Sequence, residues 1–89
     1  MPIKRTEEEI EFLKRVDARW RDGDTQGEIA VSVGLNSAGA LQSKMTRLGF
    51  QFSRRGGLKV VDVMLGRPFA EWLSSGELVA DEPAEAAVA

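Results

Sequence analysis

The chain has 89 residues, 12 Lys+Arg against 14 Asp+Glu for a formal net charge of −2, and no Cys, His or Tyr. The length favours a single domain, and the missing residue types exclude a disulfide framework, a thiolate or imidazole metal site, a thiol nucleophile and a Ser-His-Asp triad. Binding rather than catalysis is expected, with no cofactor and no metal. With 43% hydrophobic residues, two Trp and four Phe, the composition is that of a folded chain. No apolar run approaches the roughly 20 residues a membrane span needs. The N-terminus carries no signal-like apolar stretch, so a cytoplasmic protein with no membrane partner is expected.

Thr6-Glu7-Glu8-Glu9 has the form of a capping box. Ile10, Leu13, Val16 (or Asp17) and Trp20 follow at helical spacing, and Gly23 suits a left-handed helix end. The first helix is predicted over 7–22. Thr25-Gln26-Gly27-Glu28 repeats the box, Ile29, Ala30 and Val33 give a short apolar face, and Gly34 stops it. The second helix is predicted over 26–33. Asn36 and Ser37 are each good N-caps for a third helix over 38–48. There Leu41, Met45 and Leu48 form one stripe, leaving Gln42, Ser43, Thr46 and Arg47 on the other face and Lys44 at the margin.

After Gly49 the period changes. Phe50-Gln51-Phe52-Ser53 alternates like a strand, 54–57 reads as a turn, and 58–63 is β-branched and partly alternating. The pattern predicts a β-hairpin, or wing. Pro68 fits the first position of a short helix that carries Phe69, Trp72 and Leu73 and ends at Ser75-Gly76. Residues 79–89, rich in Ala, Glu, Asp and Pro, read as a disordered acidic tail behind a domain over 1–78. Trp20, Met45 and Trp72 lie in apolar stripes and read as core.

Charge is unevenly placed. Residues 31–60 hold Lys44, Arg47, Arg54, Arg55 and Lys59 and no acid, whereas residues 61–89 carry a net −5. A basic middle inside a mildly acidic chain is the charge footprint of a polyanion partner. Three short helices with a tight Gly turn between the second and third are the helix-turn-helix pattern. Ala30 is small enough for a close helix crossing, Gly34 permits the turn, and Leu35 plugs the core beneath it. The polar face of the third helix is left to read base edges: Gln pairs bidentately with adenine and Arg with guanine. The fold expected is mainly α, a trihelical helix-turn-helix with a C-terminal hairpin and a short fourth helix. The ligand expected is double-stranded DNA.

The stretch Gly27-Glu28-Ile29-Ala30 through Gly34, followed by Gln42-Ser43-Lys44-Met45-Thr46-Arg47-Leu48-Gly49-Phe50, resembles the homeodomain-like helix-turn-helix of bacterial regulators. It is particularly similar to GcrA-type cell-cycle regulators, whose recognition helix ends in a Lys-apolar-x-Arg-Leu-Gly-apolar run. The resemblance covers about residues 6–50. It implies a bacterial or phage transcription regulator that binds DNA through the third helix, with Lys44 and Arg47 near backbone or bases. Candidate DNA contacts are Asn36, Ser37 and Ala38 at the helix start, Gln42, Ser43, Lys44, Thr46 and Arg47 along it, and Arg54 and Arg55 at the hairpin tip. For those two arginines a merely solvated turn is the alternative. One such helix reads few base pairs, so a second copy or an RNA polymerase is the protein partner expected. Two rival functions stand beside this one: a protein-interaction module on the same scaffold, and the DNA-binding component of a recombination or phage packaging assembly.

Overall fold

The computed structural model describes residues 3–80. In chain order the elements are β1 (Ile3–Arg5), α1 (Glu7–Arg21), α2 (Gln26–Ser32), α3 (Ala38–Leu48), β2 (Phe50–Ser53), β3 (Lys59–Asp62), α4 (Phe69–Ser75) and β4 (Leu78–Ala80). Helices α1, α3 and α4 pack on a small antiparallel hairpin, and a second, parallel pair of strands joins the two ends of the described chain.

The helices begin and end where their local chemistry directs. Thr6 Oγ1 accepts the Glu9 N–H at 3.1 Å while Glu9 accepts the Thr6 N–H at 2.9 Å, a complete capping box. Thr25 and Glu28 repeat it at the start of α2. The Thr25 backbone N–H, helped by its hydroxyl, holds the Glu28 carboxyl below its ordinary value of 4.5. α2 ends in a Schellman motif: Leu35 N–H reaches Ala30 O at 2.8 Å and Gly34 N–H reaches Val31 O at 3.1 Å, with Gly34 at φ +79°. That geometry turns the chain within five residues and starts α3, which Ser37 caps by accepting the Ala40 N–H at 3.2 Å.

The core lies where α1, α2, α3 and the hairpin meet. Leu13, Val16, Ile29, Ala30, Leu41, Phe50 and Val60 are fully buried. Ala30, the small residue of α2, is fully buried in this core. Phe69 of α4 meets Phe50 edge-on at 5.6 Å, which joins the C-terminal helix to this core.

In the hairpin Phe50 pairs with Asp62 and Ser53 with Lys59. The second strand is shorter than the 58–63 expected. Asp62 ends it by taking the N–H groups of Met64 and Leu65 on one carboxylate oxygen, each at 2.8 Å, which turns the chain out of the ladder. Pro68 stands at the N-cap rather than inside α4, because its backbone is extended and bridges Val61.

Asp17, which the spacing left undecided against Val16, is buried. Its Oδ1 accepts the Val60 N–H at 2.9 Å and its Oδ2 accepts Arg21 Nε at 2.9 Å, so one carboxylate ties α1 to β3.

β4 runs past residue 78, where the acidic tail was expected to begin. Val79 and Ala80 pair in parallel with Lys4 and Arg5, and Leu78 with Ile3. Two three-residue strands, 75 positions apart in register, offer no periodicity to read in sequence. The rest of the expected acidic tail, from residue 81, lies outside the described residues. Among the described residues no helix is long and apolar enough to cross a membrane.

Candidate nucleic-acid interface

α3 buries Leu41, Met45 and Leu48 against the other helices and exposes Gln42, Ser43, Thr46 and Arg47. The four exposed side chains lie along one outward strip of the helix. No acid occurs between Glu28 and Asp62, a stretch that includes all of α3, β2 and the hairpin tip. The strip therefore repels no phosphate from within its own elements.

The two edges of the strip differ. On one edge Gln42 and Thr46 share a cleft with Gln26, Gln51, Met45, Phe50 and Phe52. Within it Gln42 Nε2 donates to Gln26 Oε1. That bond engages one Gln42 N–H and leaves its carbonyl oxygen and second N–H for a ligand. On the other edge Arg47 and Lys44 border a groove with Glu9, Leu35 and Leu48.

Lys44 is not part of the outward strip. Its ammonium sits 4.4 Å from the centre of the Phe12 ring. It lines a hollow with Glu7, Glu8, Glu11, Arg15 and Val33. The side chain next to buried Met45 leans toward α1, where a cation over an aromatic face is favoured. The remaining helix-start candidates divide as well. Ser37 spends its hydroxyl on the Ala40 N–H, Asn36 is exposed beside it, and Ala38 is half-buried.

At the hairpin tip Gly56 and Gly57 take φ +66° and +98°, which a residue with a Cβ adopts at a cost. The two tip arginines are unequal. Both are exposed, and the Arg54 guanidinium lies 4.9 Å over the Trp20 ring. Trp20 in turn donates its ring N–H to Ser53 O at 3.1 Å and lies 4.7 Å from the Phe52 ring. Phe52 also lines the glutamine cleft, so β2 runs from the edge of α3 to the basic tip.

Gln26 and Gln51 were not singled out in the sequence. Gln51 carried a usable signal, since it is the polar member of the alternation Phe50-Gln51-Phe52. Gln26 carried none, because a glutamine at the first position of a helix is ordinary. Comparison with known protein families, with curated proteins and with solved structures finds no match to this chain.

Proposed function

We propose that the chain is a DNA-binding protein of the trihelical helix-turn-helix class, with α3 in the major groove and the β2–β3 hairpin as a flanking wing. The observation that carries the reading is the acid-free outward strip of α3, opposite its buried stripe and beside an arginine-bearing hairpin. A helix with its side chains is about 10–12 Å across, and the major groove is about 12 Å wide. Gln42, braced by Gln26, offers the acceptor and donor that match adenine, and Arg47 offers the fork that matches guanine. Ser43 and Thr46 lie between them and serve a base or a phosphate. Arg55 is the phosphate contact at the tip, and Arg54 supports it from its place on Trp20. Lys44 is left out of the interface by its position over Phe12. The biological role that fits is a transcription regulator of a bacterial or phage cytoplasm.

Binding of duplex DNA over a salt series tests this. Each phosphate contact adds about 0.9 to the slope of log K against log salt. The Arg55→Ala variant is expected to weaken binding to all sequences alike and to lower the slope by about one. A wild-type protein with no salt-dependent retention on DNA overturns the reading.

A further inference from the structure

Directly after β3 the chain displays three consecutive apolar side chains: Val63, Met64 and Leu65 are 44%, 87% and 64% exposed. Their backbone is pinned. The buried Asp62 carboxylate accepts the N–H groups of Met64 and Leu65. Asp62 N–H donates to Arg67 O and Gly66 N–H donates to Asp62 O, each at 2.8 Å, while Val63 N–H donates to Gly49 O at 2.9 Å. A loop held by so many bonds has little freedom left to lose on docking. Adjacent exposed apolar residues on a rigid loop are the mark of a contact surface rather than of a solvated turn.

Charge and size narrow the occupant. Residues 63–66 carry no charge, the Asp62 carboxylate is buried, and Arg67 is bound to Glu77 at 2.9 Å and lies 4.1 Å over the Trp72 ring. A contact between identical copies sets the same patch against itself, so an uncharged patch meets its copy without like-charge repulsion. Three side chains are far fewer than the roughly 20–30 residues a side of a standard stable interface. A contact this small persists only between molecules already held together, where a tether gives an effective concentration in the millimolar range. DNA is such a tether, and the inference rests on the DNA-binding reading above. The loop is joined to Gly49, at the C-terminal end of α3, whereas Arg54 and Arg55 lie at the other end of the hairpin.

We propose that the Val63-Met64-Leu65 loop is the contact between two copies of this chain bound side by side on one duplex, and that the free chain is a monomer. One end of the hairpin then meets phosphate and the other meets the neighbouring copy.

The natural chain has no cysteine, so the Met64→Cys variant carries a single thiol. An Ala18→Cys variant, exposed on α1, is the control. Both are treated with a short bis-maleimide, with and without a duplex of about 30 base pairs, long enough for two neighbouring copies. DNA is expected to raise cross-linking of the Met64→Cys variant about tenfold or more over the control. Excess duplex, which separates the copies, abolishes the gain. Retention on DNA with equal cross-linking of the two variants overturns the loop contact alone. A protein that is not retained on DNA overturns the DNA reading and this inference with it. A cross-linked Met64→Cys dimer that forms equally without DNA also overturns the inference, since the contact then needs no tether. As a second measurement, Met64→Asp is expected to abolish cooperative binding to the long duplex while affinity for a duplex of about 12 base pairs stays within twofold.

Discussion

The starts of α1, α2 and α3 are each closed by groups three residues apart, Thr6 with Glu9, Thr25 with Glu28 and Ser37 with Ala40. The hairpin and the strand pair are tied to the helices by bonds between residues 33 to 43 positions apart. Trp20 holds Ser53, Asp17 holds Val60, and the Arg5 guanidinium donates to Leu48 O at 2.8 Å through Nη2. The helical half is thus specified by short-range signals and then packed. The strand-bearing half is joined to the helices by single polar groups, Asp17 and Trp20 from α1 and Arg5 from β1. The candidate DNA surface lies on the seam between the two, with α3 from one half and β2 from the other.

The following substitutions and one change of pH break or sharpen that contrast. Phe50 is fully buried on the seam, against Phe69. Phe50→Ala is expected to cost about 3–5 kcal/mol, a large share of the roughly 5–15 kcal/mol that holds a small domain together. Denaturant unfolding measures it, and both halves are expected to melt in one transition.

Asp17→Ala is next. It leaves the buried Val60 N–H without its acceptor, which costs about 1–3 kcal/mol. Asp17→Asn keeps an acceptor oxygen and loses chiefly the Arg21 pair, whose arginine side chain is 43% exposed, so its cost is expected well below that of Ala. Equal losses for the two variants would mean that the Asp17–Arg21 pair within α1, not the bond to β3, carries the stabilisation.

Arg47→Ala is expected to weaken binding at the preferred DNA site by about 1–3 kcal/mol if its fork reads a base, with helical circular dichroism unchanged. Lys44→Ala is expected to leave DNA affinity nearly unchanged and to cost about 0.5–1 kcal/mol of stability through the lost Phe12 contact. A Lys44→Ala variant with the larger binding defect would return that lysine to the interface.

The smallest effect is a pH dependence of the α2 cap. The Glu28 carboxyl is held below its ordinary value of 4.5, first by the Thr25 backbone N–H. A depressed carboxyl contributes stability that is fully present above the ordinary value and is lost as pH falls through the folded value. Thermal unfolding at decreasing pH below 4.5 is expected to show a loss that Glu28→Gln removes. An unchanged pH profile in that variant would place the acid sensitivity at Glu77, which Arg67 holds low by its hydrogen bond.

Local pattern was enough for the helices. The predicted third helix coincides with Ala38–Leu48, and the first two end within a residue of the expected position. Capping boxes, apolar spacing and a glycine stop all act within one turn, so they are visible in a short window. The outward strip was legible for the same reason, because the periodicity that buries Leu41, Met45 and Leu48 also places Gln42, Ser43, Thr46 and Arg47 opposite them. Lys44 at the margin was visible; the side it chose was not, since Phe12 and the α1 carboxylates are brought to it by helix packing. The parallel pairing of β1 with β4 and the Asp17–Val60 bond were beyond reach for a related reason: each joins residues far apart in the chain, and neither leaves a repeat.

By itself the sequence determined where the helices start and stop, which face of each is apolar, and that the basic charge is gathered in residues 31–60. Those properties follow from backbone capping and side-chain period, which depend on near neighbours. Only the tertiary structure decided which cations face outward, which glutamine braces Gln42, and that three apolar residues stay in solvent on a pinned loop. Those outcomes depend on which surfaces meet, and a surface of this kind is assembled from residues that the chain itself keeps apart.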